Sequence, residues 1–297
     1  MGYSHADNDH FEIIAPAQWS LPVVLNSPHS GSQLPPDLLQ LTRLSVDALR
    51  RSEDKYVDEL FEPCVDFGAP LLRAKVSRAY VDLNREPYEL DPRMFIEPLP
   101  HHMNAASPRV VSGLGTIPRI VGDGEHIYHG KLPLESALQR IENIYRPYHR
   151  TLAALLNHVY AETGFVCLID CHSMPPSAVL GGHAVKNVKG QVDVVLGDRY
   201  GAACSRELVE QWREGFAAAG LQVKLNHPYP GGFITENHGR PRAGRHALQI
   251  ELNRALYLQE SNGQRAANFT ALQSVIKTVF ESFMASLPVS ETRAAAE

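Results

Sequence analysis

Two histidines occur in matching settings, each behind an apolar run. VVLNSPHSG carries His29 and CLIDCHSMP carries His172. Ligands of open α/β sheets gather at the carboxyl ends of strands, so two imidazoles at two such ends can face one cleft. An imidazole nitrogen there suits zinc, which in catalytic sites keeps three protein ligands and one open position. The third ligand would be a carboxylate or another histidine, and Ser52-Glu53-Asp54 offers two carboxylates. The alternative is that each ring simply bonds a loop carbonyl.

Asp170 precedes His172 by two residues, so alternation along an extended chain puts both on one side. It can accept the second imidazole N–H and fix the ligating tautomer, or it can cap the following turn. In HALQIELNR, Leu248, Ile250 and Leu252 face one way while Ala247, Gln249, Glu251 and Asn253 face the other. Burying an unpaired carboxylate in such a strand costs roughly several kcal/mol, so Glu251 needs a partner. That partner is either a catalytic water, with Glu251 as general base, or an arginine such as Arg254.

SRAYVDLNR sets Arg78, Asn84 and Arg85 around another apolar run. A guanidinium is the natural group for a substrate carboxylate or a developing oxyanion; the structural alternative pairs Arg78 or Arg85 with Asp82 or Glu86. In NHPYPGGFITENHGRPRAGRH, Arg240, Arg242, Arg245 and His246 give local positive charge, and Gly231-Gly232 permits close approach to a ligand. An anionic small substrate fits that loop, as does plain solvation. Cys171, beside His172, reads as inert packing rather than a nucleophile.

These residues need a scaffold, and apolar runs alternating with amphipathic stretches point to α/β. Leu21–Leu25, Leu71–Leu83, Phe165–Asp170 and His246–Leu252 read as strands. His183–Asn187 and Val192–Leu196 read as a hairpin about Lys189-Gly190. Helices are expected around Asp47–Phe67, from Leu134 to about Tyr160 with a kink or restart at Pro147, over Tyr200–Ala219, and from Phe269 to Phe283. The proline- and glycine-rich Tyr88–Gly130 reads as a long ordered loop. The expectation is one domain over residues 1–297, with its core at about 20–285 and flexible segments at 1–10 and 291–297.

Composition narrows the function classes. The formal net charge of −5 gives no footprint for nucleic acid or an anionic membrane. Apolar runs fall far short of the ~18 residues that span a bilayer. Met1–His10 is polar and does not read as a secretory leader, and the cysteines Cys64, Cys167, Cys171 and Cys204 form no CxxC pair. A cytoplasmic setting follows as the expectation.

Taken together, SPHSG, SEDKYVDELF, SRAYVDLNREP, PRIVGDGEHIYHGKL, PYHRTL, IDCHSMP, NHPYPGGFIT and HALQIELNRALY resemble the N-formylglutamate amidohydrolase family, from about residue 20 to 260. The family is related to zinc carboxypeptidases and aspartoacylase. The resemblance implies a mixed sheet flanked by helices on both faces, of the zinc-carboxypeptidase-like (phosphorylase/hydrolase-like) kind. It also implies one Zn2+ per chain, with other divalent metals as alternatives, held by His29, an acid and His172. Relatives of the wider group carry HxxE; here Ser30-Gly31-Ser32 follows His29, so the acid comes from further away. Asp54 matches the family motif better than Glu53, which stays the alternative. Glu251 takes the place of the catalytic glutamate. By likeness to the aspartoacylase group, Asn84 and Arg85 hold the substrate carboxylate and Arg78 polarises the scissile carbonyl. Arg240, Arg245 or His246 is expected at the side-chain carboxylate, and Tyr88–Gly130 over the acyl pocket.

The implied reaction is hydrolysis of N-formyl-L-glutamate to formate and L-glutamate, with histidine catabolism as its setting and a small acidic N-acyl amino acid as the substrate. The alternatives are a metal-dependent amidase or carboxypeptidase acting on another acyl or peptide substrate, and a non-catalytic metabolite-binding protein.

Overall fold

The computed structural model describes residues 8–122, 124–179 and 192–287. Seven strands form one sheet: β1 (Phe11–Ile14), β2 (Val23–Ser27), β3 (Leu71–Ala74), β4 (Val166–Met174), β5 (Val194–Gly197), β6 (Val223–Leu225) and β7 (Arg245–Asn253), in the order β1-β3-β2-β4-β7-β5-β6. β2, β4 and β7 run parallel, whereas β5 is antiparallel to β7 and parallel to β6. The helices are α1 (Pro36–Leu41), α2 (Val46–Leu49), α3 (Val57–Phe61), α4 (Pro108–Val111), α5 (Leu134–Arg140), α6 (Arg146–Thr163), α7 (Arg206–Ala218), α8 (Phe233–His238) and α9 (Phe269–Ala285). The expected mixed α/β fold is the observed one.

The chain divides into two compact units that interleave in sequence. The larger takes Ile14–Ser27, Tyr56–Leu71 and Ala154–Glu297. Its strands are two-faced in the way a period of two dictates. Val23, Leu25, Cys167, Ile169, Cys171, Leu248, Ile250 and Leu252 enter one apolar core with Leu60, Trp212, Phe216, Ile276 and Phe280 from α3, α7 and α9. The intervening residues include Asn26, Asp170, His172, Gln249 and Glu251, all buried although polar. α8 packs against β4 and β7.

The smaller unit takes Met1–Ile13, Pro28–Lys55 and Leu72–Ala153. Leu38, Leu49, Ala79, Val121 and Ile127 form a core within it. Arg140 is buried there, with its guanidinium 3.8 Å from the Tyr80 ring centroid, 2.7 Å from Tyr128 Oη and 3.3 Å from Asp37 Oδ2. A buried cation is tolerated only with such partners. The stretch Tyr88–Gly130 is tied down internally, for example by Asp91 to Arg93 and Arg119 and by the backbone pair Thr116 N–H to Glu89 C=O.

Several expected elements differ. The helix expected over Asp47–Phe67 is broken at Glu53–Tyr56, where Glu53 is extended and Tyr56 has φ 63°. Strand β3 stops at Ala74; Arg78 to Asn84 turn back on themselves, with Tyr80 N–H donating to Ser77 C=O and Asn84 N–H to Asp82 Oδ1. Apolar residues in that stretch are buried by a packed loop, which a strand-like pattern cannot distinguish from a strand. The break near Pro147 is a π-helical turn over Ile141–Tyr145, after which α6 runs on to Thr163. α7 starts at Arg206 rather than Tyr200, because Arg199, Tyr200 and Gly201 all have positive φ. Within the segment expected to be flexible at 1–10, His10 C=O accepts from Lys75 N–H and Val76 N–H. Residues 183–187 and 189–190 of the expected hairpin, residues 1–7, and the 291–297 tail lie outside the described residues.

Candidate active site

Pro28 ends β2 and His29 follows at once. The chain after it lies tightly against Lys75–Val76: a Cβ on Gly31 would stand 2.2 Å from the Val76 carbonyl oxygen, so only glycine fits. His29 Nε2 is 2.7 Å from Asp82 Oδ1. Asp82 Oδ2 in turn is 2.6 Å from Arg78 Nη2 and 3.3 Å from Arg85 Nη2. Burial works to raise the Asp82 pKa, but Arg78, Arg85 and His29 outweigh it and hold the carboxyl well below its usual range. An ionised Asp82 only accepts, so His29 Nε2 carries a proton toward it, which leaves Nδ1 as the nitrogen that could ligate a metal. On that Nδ1 side lies Asp54 Oδ2, 3.5 Å away. The break in the helix places Asp54, and its own N–H donates to His29 C=O at 2.9 Å.

β4 runs on past Asp170 through His172 to Met174, so His172 lies within the strand. The parallel pairing of β4 and β7 sets Asp170 beside Gln249 and His172 beside Glu251. Side chains two residues apart in one strand share a face, so the four make two adjacent columns. In the first, Asp170 Oδ2 is 3.1 Å from His172 Nε2, and Asn26 Nδ2 donates to Asp170 Oδ1 at 2.7 Å. In the second, Gln249 Nε2 donates to Glu251 Oε1 at 2.8 Å. His172 Nε2 thus faces a carboxylate, as His29 Nε2 does.

His29, Asp54 and His172 each offer one ligand atom, and these atoms all lie within 4.8 Å of one another. All three residues are buried. Two imidazoles whose far nitrogens face carboxylates, plus one further carboxylate, form a donor set that fits a borderline divalent ion such as zinc. Glu53, though also buried, is not in this group.

The sequence model for the N-formylglutamate amidohydrolase family matches residues 21–258. The chain belongs to the N-formylglutamate amidohydrolase family. It is 29% identical to the N-formylglutamate deformylase of Pseudomonas aeruginosa, over 92% of this chain and 97% of the relative. Against the Pseudomonas putida N-formylglutamate deformylase the identity is 28%, over 84% of this chain and 86% of the relative. The crystal structure of N-formylglutamate amidohydrolase from Ralstonia eutropha JMP134 superposes with a TM-score of 0.84 at 33% identity, covering 91% of this chain and 95% of that one. A more distant structure, Atu2144 from Agrobacterium tumefaciens, shares the fold at a TM-score of 0.60, 19% identity and 93% and 95% coverage.

On this amidohydrolase scaffold Arg78 and Arg85 are both bound to Asp82, as the structural alternative has it. Arg85 also donates from Nε to Leu114 C=O and from Nη1 to Asn84 C=O. Burial, then the charges of Arg78 and Arg109, lower its pKa to about 10 against the pull of Asp82 and Glu89. Asn84 is buried beside them. Arg78, Arg85 and Arg109 meet Asp82 and Glu89 here, with Arg109 Nη1 3.7 Å from Glu89 Oε2.

Arg245 and His246 stand at the other end of β7 from Glu251. Parallel pairing puts His246 opposite Cys167 while Glu251 is opposite His172, five residues further along both strands. At the strand rise, the backbones of Arg245 and Glu251 are ~20 Å apart. Arg240, Arg245 and His246 are all engaged where they stand. Arg245 stacks over the Tyr160 ring at 4.1 Å, His246 Nδ1 accepts from Ser205 N–H, and Arg240 donates to Glu236 C=O and Gly239 C=O. Cys171 is a buried thiol whose pKa is pushed well up, by burial first and then by the Asp170 charge; a nucleophile needs the opposite.

Sequence reasoning offered Asp82 as a partner for the arginines but not for His29, and it missed the contacts of Asn26 and Gln249. Gln249 stands two residues before Glu251 as Asp170 stands two before His172, so the same alternation could have found it. Asn26 and Asp82 are joined to their partners by contacts 144 and 53 residues apart, which carry no local signal.

Proposed function

We propose that this protein hydrolyses the N-formyl amide of N-formyl-L-glutamate, releasing formate and L-glutamate. One observation carries the reading: a buried His29–Asp54–His172 group able to hold a metal, with Glu251 beside His172 in the sheet register. Membership of the amidohydrolase family and likeness to the two Pseudomonas N-formylglutamate deformylases support it. A divalent ion held by these three residues, zinc first among them, would act as a Lewis acid and bring the acidity of water into the neutral range.

The chain's own residues do the rest. Asp82 and Asp170 hold the two imidazoles in the ligating tautomer. Glu251 takes a proton from the attacking water and returns it to the departing glutamate nitrogen. Arg78 donates to the formyl oxygen as charge builds there; such a donor is typically worth ~3–4 kcal/mol. Asn84 and Arg85 hold the α-carboxylate, for which a guanidinium is the natural partner. Among the described residues no helix is long and apolar enough to cross a membrane. Cys64, Cys167, Cys171 and Cys204 are free thiols, which supports a reducing, cytoplasmic setting.

Zinc-loaded protein is expected to release one formate per N-formylglutamate consumed, and to lose this activity to a chelator and regain it with zinc. N-acetyl- and N-formimino-glutamate, assayed alongside, test the acyl group. Absence of formate release from metal-replete protein removes the assignment.

A further inference from the structure

Gln249 is buried, and the proposed mechanism gives it no part. Its side chain bridges two neighbours. Its Oε1 accepts from Gly232 N–H at 2.7 Å, and its Nε2 donates to Glu251 Oε1 at 2.8 Å. A backbone N–H can only donate, so the atom it meets must be the amide oxygen. The NH2 group is therefore turned toward Glu251 by the loop.

The loop itself is fixed. Gly232 C=O accepts from Thr235 Oγ1 at 2.9 Å and from Glu236 N–H at 3.2 Å. Its approach depends on β5, where Gly197 stands opposite Gln249. A Cβ on Gly197 would be 2.8 Å from Gly231 N, Pro230 C and Tyr229 O. The missing side chain lets the 229–232 segment come down beside Gln249.

We propose that Gln249 is the positioning residue of the general base: clamped by Gly232, its amide holds one oxygen of the Glu251 carboxylate and so presents the other to the attacking water. This rests on the reading of Glu251 as base. A carboxylate held by a neutral donor keeps its charge and loses rotational freedom, both of which a base requires. The arrangement repeats what Asp170 does for His172 in the adjacent column, with an amide in place of a carboxylate because Glu251 must receive a hydrogen bond rather than give one.

The test uses zinc-loaded full-length protein. Gln249→Leu deletes both bonds without adding charge; Gln249→Glu keeps the acceptor for Gly232 N–H but replaces the neutral donor with a second carboxyl beside Glu251, so its pH–rate profile should be displaced as well. Both variants should bind zinc at wild-type stoichiometry and keep KM for N-formylglutamate, while kcat falls ~10–100-fold, the scale on which small misplacement of a reacting group acts. In a Glu251→Gln background the same substitutions should leave the residual rate unchanged, because Gln249 acts only through that carboxylate. Wild-type kcat in Gln249→Leu overturns the proposal, as do losses that add fully in the Glu251→Gln background or fall on KM instead. If Gln249→Leu does not fold, Gln249→Met, which also lacks both hydrogen-bonding groups, is read in the same way. Retention of full activity by Glu251→Gln itself would instead remove the base assignment, a different failure.

Discussion

The two ends of the β4–β7 pair carry similar side chains and do different things. At the carboxyl end stand His172 and Glu251, at the amino end Arg245 and His246, all presented by the same parallel ladder. At the carboxyl end each functional side chain is backed by a partner two residues earlier, Asp170 behind His172 and Gln249 behind Glu251. At the amino end each group is engaged on its own, Arg245 on the Tyr160 ring and His246 between Ser205 N–H and the Phe165 ring. Charge and imidazole alone therefore do not mark a site. What separates the ends is that one builds paired columns with their tips side by side, and the other closes every group locally.

The sharpest way to break this comparison is Glu251→Gln. It should bind zinc normally and lose turnover by orders of magnitude, since loss of general base catalysis alone removes about 10²–10⁴-fold. An unchanged kcat would make the two ends equivalent. Next in size is Asp170→Asn, which weakens the acceptor behind His172. Zinc affinity by competitive chelation should fall ~10–100-fold, as it does when an outer partner of a ligating histidine is lost; unaltered affinity would reduce the Asp170–His172 contact to packing.

Part of this was legible beforehand because it is local. Alternation within IDCH and QIE places functional and supporting residues on one face, and the amphipathic spacing of α9 marks its buried stripe. Long-range partners were not legible. Asp82 reaches back to His29 across a turn that looks like a strand, since Val76, Val81 and Leu83 are buried there without pairing as one. The helix break at Glu53–Tyr56, which delivers Asp54, has no proline or glycine to announce it; Tyr56 takes a positive φ that its type disfavours. The end of β7 at which Arg245 and His246 stand was also hidden, because a cationic cluster looks the same from either end of a strand until the register is known.

Smaller effects sharpen the contrast. Arg85→Ala should raise KM for N-formylglutamate more than for neutral N-formyl amino acids; equal losses would leave Arg85 as a mere prop for Asp82. His238, at the end of α8, gives a pH signature in stability. Burial, with help from Arg240 and Arg245 and against Asp170, lowers its pKa to about 4. Native His238 then stays neutral while the unfolded chain protonates near pH 6.5. The unfolded state binds more protons in that window, so stability should be lost as pH falls from about 6.5 toward 4. His238→Gln should flatten that part of a curve of unfolding midpoint against pH, and an unchanged slope would show that other groups dominate.

The smallest expected effect is the most pointed. Arg245 lies in the same strand as Glu251 and carries the charge an acidic substrate wants, yet its guanidinium lies over the Tyr160 ring at 4.1 Å. Arg245→Met keeps the length and packing of the stem and removes the cation. It should cost about 0.5–1 kcal/mol of stability through the lost cation–π contact and leave kcat/KM for N-formylglutamate as it was. A rise in KM specific to dicarboxylates would put substrate at the amino end of β7. The site could not then be confined to the end where His172 and Glu251 meet, and the division of labour along the strand would have to be abandoned.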